Sequence, residues 1–85
     1  MSRKEKIVAR FLSKPKDFRY EELVVLLRIF GYEEINTGKT SGSGRAFVRA
    51  QSGHIIRLHR PHPENVMRMY QIELILEELK KQNLI

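Results

Sequence analysis

At Gly31 the spacing of apolar residues changes, and the change dictates the class of fold. Before it, Ile7, Val8, Phe11 and Leu12 recur at helical spacing, and so do Leu23, Leu26, Leu27 and Phe30. After it, short alternating stretches read as strands over Tyr32–Thr37, Arg45–Arg49 and Ile55–His59. Helical spacing returns from Met69 to Gln82, with Ile72, Ile75 or Leu76, and Leu79 on the buried side. Breakers separate these segments. Pro15 ends the first helix and restricts Lys14 to extended backbone. Asp17 or Arg19 precedes the second helix, and Glu21 and Glu22 in its first turn suit the positive end of its dipole. Gly31 is its C′ stop. Gly38–Gly44 is a polar, glycine-rich loop, Ala50–Gly53 has the length of a hairpin connection, and Pro61-His62-Pro63 interrupts regular structure. The predicted order is α-α-β-β-β-α. The fold class is α+β, with a three-stranded antiparallel sheet and helices on one face.

A chain of 85 residues holds one domain and a thin core. It buries roughly 60–65% of its unfolded surface. With no cysteine there is no disulfide, no thiolate metal site and no cysteine nucleophile. A reducing, cytoplasmic setting is the expectation. The basic start, Met1–Lys6, is not followed by the apolar stretch of a signal peptide, and no run approaches the roughly 18 apolar residues of a membrane span. No membrane partner is expected. The first helix is basic and amphipathic, but a small domain needs its narrow apolar stripe for the core.

Charge supplies the first clue to function. The net charge is +6 and the isoelectric point near 10.0, a balance that raises the prior for nucleic acid. Residues 1–63 carry thirteen basic and six acidic residues; residues 64–85 carry three and four. A hairpin register places Ala46 opposite Leu58 and Val48 opposite Ile56 on a clean core face. Arg45 opposite His59, Phe47 opposite Arg57 and Arg49 opposite Ile55 then fall on the other face, open to solvent or a partner. Arginines neutralise phosphate, and an exposed Phe47 offers a plane to an unpaired base. Arg45, Phe47, Arg49 and Arg57 are the candidate RNA-binding residues, with Lys39 of the glycine-rich loop in support. The alternative is a solvated face with one exposed aromatic, covered by a protein partner.

Gly38-Lys39-Thr40 mimics the end of a phosphate-binding loop, but the earlier glycine and the following helix are missing. His54, His59 and His62 lie within nine residues. Metal-independent RNA cleavage needs a base for the 2′-OH and an acid for the leaving 5′-oxygen, and histidine serves for both. His59, on the open face, is the first candidate catalytic residue and His62 the second; His54 reads as a turn residue. No carboxylate is placed to complete a zinc site with them, and no cofactor is expected.

The order of elements and several short motifs resemble the HicA family of toxin–antitoxin proteins. The motifs are Glu22-Leu23-Val24-Val25-Leu26-Leu27, then Phe30-Gly31-Tyr32, Gly42-Ser43 before the second strand, Pro61-His62-Pro63, and Tyr70-Gln71-Ile72 opening the last helix. The resemblance covers about residues 20–82. It divides the chain into an additional N-terminal helix, 1–16, and a HicA-like domain, 17–85. It implies a double-stranded-RNA-binding-like fold, mRNA interferase (endoribonuclease) activity and an acidic HicB-like antitoxin, which would contact Arg45, Phe47, Arg57 and His59. One position departs from the pattern: the family's catalytic histidine follows the Gly-Ser pair, and here that place is Gly44. The resemblance thus leaves two readings: an RNA-cleaving toxin with a replaced histidine, or a non-catalytic RNA-binding or protein-interaction module.

Overall fold

The computed structural model describes residues 2–35 and 44–85. Helix α1 is Arg3–Leu12, α2 Tyr20–Ile29 and α3 Met69–Lys81; strand β1 is Tyr32–Ile35, β2 Gly44–Arg49 and β3 Ile55–His59. The order is α-α-β-β-β-α, and the strands form one antiparallel sheet in the order β1-β2-β3.

The helix ends follow from local chemistry. Ser2 Oγ accepts from Glu5 N–H at the start of α1. At α2 and α3 the residue before the helix is an arginine, and the cap is made from inside: Glu22 and Gln71 accept from the N–H of Arg19 and Arg68. Gly31, at φ +90°, stops α2 as its position implies. Asn83, at φ +58°, stops α3, with Leu84 N–H bonding Leu79 C=O and Asn83 N–H bonding Lys80 C=O. Pro15 acts differently from expectation. Helix α1 stops at Leu12, and Lys14 sits at φ +52° instead of in extended backbone, its N–H held by Phe11 C=O. Leu12, expected in the buried stripe, is 46% exposed.

The core lies between the helices and one face of the sheet. It joins Phe11, Phe18, Leu23, Leu26, Leu27, Ile72, Ile75 and Leu79 to Tyr32, Phe47 and Ile56 from the three strands. A short bridge, Arg19 to Val66, ties the start of α2 to the segment before α3.

The hairpin register differs from the expected one by a single residue. Phe47 pairs with Ile56, Arg45 with Leu58, Ala46 with Arg57 and Gly44 with His59. The loop explains the difference. Gly53, at φ +75°, returns its N–H to Arg49 C=O, and Arg49 N–H bonds His54 C=O. Four residues therefore close the turn, where the expected register needs five. A slip of one exchanges the faces of one strand relative to the other. Strand β3 keeps its assignment, with Ile56 buried and Arg57 exposed; β2 is inverted. Phe47, 1% exposed, packs against Tyr20 with ring centroids 6.4 Å apart.

Candidate functional site

The inversion of β2 changes which residues the open face offers. Phe47 is in the core and presents no plane to a base. Arg45 and Arg49 follow it to the helix side, at opposite ends of the strand where each finds a partner. Arg45 Nε lies 3.3 Å from the Glu34 carboxylate, and Arg49 Nε donates to Phe30 C=O, 2.8 Å away, at the end of α2. These three placements on the open face are therefore corrected. Lys39 lies outside the described residues.

Arg57 and His59 stand where the sequence places them, exposed on the open face. Directly opposite strand residues share a face, with Cβ atoms about 4.5–5.5 Å apart. His59 thus pairs with Gly44, a residue without a side chain. Around it the open face is mostly aliphatic. Ile35 and Arg57 flank Ala46, and Glu33 and Ile55 flank Val48.

One buried side chain fixes the end of β3. Gln71 Nε2 donates to His59 C=O at 2.8 Å, while Gln71 Oε1 accepts from Arg68 N–H at 3.0 Å. A single amide therefore locks the last residue of β3 to the first turn of α3. Beyond it Pro61 is buried, and the exposed His62 lines a cleft of about 510 Å³ with Lys16, Glu64 and Arg68. Lys16 and Arg68 form no ion pair among the described residues and outnumber the one carboxylate of the cleft, Glu64.

Two other groupings escape a linear reading. A groove of about 660 Å³ between α1 and α2 gathers Arg3, Lys4, Lys6 and Arg28 around Ile7, Val25 and Ile29. Its Arg10 is held by Glu22, at 2.7 Å, and by Asp17, and this hydrogen bonding keeps the Glu22 carboxyl below the usual carboxylate range. The second grouping is Tyr32–His54–Glu78. Burial pushes the Tyr32 phenol up; its hydroxyl pairs with His54 Nδ1 at 2.6 Å, and His54 Nε2–H donates to the Glu78 carboxylate at 3.2 Å. His54 is thus a structural link from β1 across the hairpin turn to α3. Sequence separations of 22 and 24 residues hide both bonds.

Tyr20 anchors a polar cluster at the opposite end of the core. Its hydroxyl donates to Glu34, and Arg60 lies over its ring at 5.1 Å. Burial, with the Glu34 charge added, pushes its phenol up to about 12.

Among the described residues no group of three acidic, histidine or cysteine side chains could hold a metal ion, and no helix is long and apolar enough to cross a membrane. No family model, no curated protein and no solved structure matches the chain.

Proposed function

We propose that the chain is a HicA-like module that binds RNA at the end of the sheet marked by His59, acting in the cytoplasm with a HicB-like antitoxin as its acidic partner. The observation that carries this reading is the direct pairing of Gly44 with His59. It sets an exposed imidazole across from the position where the family has its histidine. Arg57 shares the face with His59, and the cleft of Lys16, His62 and Arg68 lies just beyond β3. These groups suit a phosphate backbone, where lysine and arginine supply most of the affinity. Arg45, Phe47 and Arg49 have no place in this contact set, nor in the antitoxin contact.

His59 is the side chain placed to take a 2′-OH proton, and His62, three residues on, is the candidate acid. The second reading, a binder without cleavage, is favoured by the missing side chain at Gly44. General acid–base assistance is worth about 10²–10⁴-fold at each end of a reaction, and one histidine supplies only one end.

The experiment compares purified parent, His59→Ala and Gly44→His on a single-stranded RNA of mixed sequence, reading both affinity and cleavage. The cleaving form of the proposal predicts activity in the parent that falls at least about 100-fold in His59→Ala. The binding form predicts RNA affinity in the parent with cleavage only in Gly44→His. No measurable affinity of the parent for RNA at low salt would end both.

A further inference from the structure

The strand that carries His59 is also an edge strand. Among the described residues the sheet order leaves the outer side of β3 without a neighbour. Hydrogen-bonded pairs alternate along an antiparallel ladder. Arg49 N–H bonds His54 C=O, so the pairs Phe47–Ile56 and Arg45–Leu58 also exchange their bonds. His54, Ile56 and Leu58 therefore turn their main chain inward. Ile55, Arg57 and His59 turn theirs outward. Gln71 caps the C=O of His59 at that outer edge, as this alternation requires. The N–H and C=O of Ile55 and Arg57 and the N–H of His59 remain as an outward row with no partner among the described residues.

Beside this row runs a groove of about 300 Å³ between β3 and α3, lined by Ile56, Leu58, Tyr70, Leu74 and Ile75, with Glu78 also in its lining, so that carboxylates of an occupant are disfavoured on this side. Tyr70 and Leu74 are 59% and 57% exposed although they are large and apolar. An edge with free main-chain groups next to an apolar groove is the arrangement that takes an extended segment as an added strand.

The geometry points to β3 and α3 as a docking site for an extended acidic segment of a protein partner, bound by strand addition. The two faces of the edge set its side-chain pattern. Alternate residues of an added strand point to opposite faces. Those on the open face meet Arg57 and His59, which favours carboxylates; those on the helix face enter the groove against Tyr70 and Leu74, which favours aliphatic side chains. The occupant is therefore a segment alternating acidic and aliphatic residues. A second copy of the chain fits less well. Strand β3 would bring a second Arg57 to the same edge, adding like charge to like. The inference deepens the acidic-partner part of the proposed function by giving its mode of docking, and it does not rest on RNA binding.

The probe is a synthetic peptide alternating Glu and Val, blocked at both ends and titrated into the labelled full chain. We expect saturable binding with amide shifts at Ile55, Arg57 and His59, and slowed exchange of the Arg57 N–H. Arg57→Pro removes an outward donor that the ladder does not use, a substitution edge strands tolerate, and it should weaken binding at least about tenfold. Arg57→Gln keeps the donor and should weaken it less. Leu74→Glu, at an exposed position of α3, should weaken binding comparably while leaving the sequence of the strand unchanged. A peptide N-methylated on every second residue, prepared in both phases so that one blocks the bonding edge, should fail in that phase alone. Equal binding by both N-methylated phases, or undiminished binding by Leu74→Glu, would overturn the proposal. So would no saturable binding of the peptide, or a dimer of the parent that Leu74→Glu dissociates.

Discussion

The two faces of the sheet treat the same residue types in opposite ways. On the helix face every polar group that the strands bring has an answer. Glu34 receives Tyr20 and Arg45, Arg49 reaches the end of α2, and Tyr32 is closed off by His54 and Glu78. No buried side-chain polar atom lacks a partner among the described residues. On the open face Arg57 and His59 make no described side-chain bond, and the aliphatic residues around them are half-covered at best, apart from Ala46. The lesson is that arginine on a strand does not mark a solvent face. Near a strand end, its long side chain can leave the core side and find a carboxylate or a free helix carbonyl, while its stem packs on apolar neighbours.

The largest effect that separates the faces is expected at Phe47. Phe47→Ala removes a buried ring and should cost about 3–5 kcal/mol, which thermal melting would record as a loss of well over 10 °C at roughly 4–8 °C per kcal/mol. A loss like that of an exposed residue would break the inverted placement of β2. Next comes Tyr32→Phe, which leaves His54 Nδ1 without its hydrogen-bond partner inside the fold; chemical denaturation should show a loss of about 1–3 kcal/mol.

A third prediction concerns pH. The Tyr20 phenol, pushed up to about 12 by burial and Glu34, stays protonated in the fold when the unfolded chain ionises near its ordinary value of 10.0. The stability it contributes is full below pH 10 and is lost as pH rises toward 12. Tyr20→Phe should flatten that alkaline decline, measured as unfolding free energy against pH. The smallest effect is at Arg57. Arg57→Gln should change stability by no more than about 0.5 kcal/mol, because its guanidinium has no partner among the described residues. The same substitution should flatten the salt dependence of log K for single-stranded RNA by about 0.7.

Most of the fold was legible because helices announce themselves through spacing and stops. The stripe of Leu23, Leu26 and Leu27 and the Gly31 stop locate α2 to within a residue. The order of strands followed from short connections. The face of β2 did not, because both of its faces carry apolar residues: Ala46 and Val48 on one, Phe47 on the other. Pattern alone weighs two small residues against one large one, and the closure of the Gly53 turn decides between them. The site inherited that error. Arg57 and His59 lie on β3, whose assignment did not depend on the register, so they were legible. Arg45 and Arg49 lie on β2 and were misplaced with it. The Tyr32–His54–Glu78 chain and the α1–α2 groove were invisible, since each is assembled by residues distant in sequence.

The most direct test of the RNA reading is a map of amide shifts during titration of the labelled chain with a single-stranded RNA at low salt. The account predicts the largest shifts at Gly44, Arg57, His59, His62 and Arg68, with Phe47 and Arg49 moving little. Largest shifts confined to Arg3, Lys4, Lys6 and Arg28, with Gly44 and His59 unmoved, would contradict it and transfer RNA binding to the groove between α1 and α2.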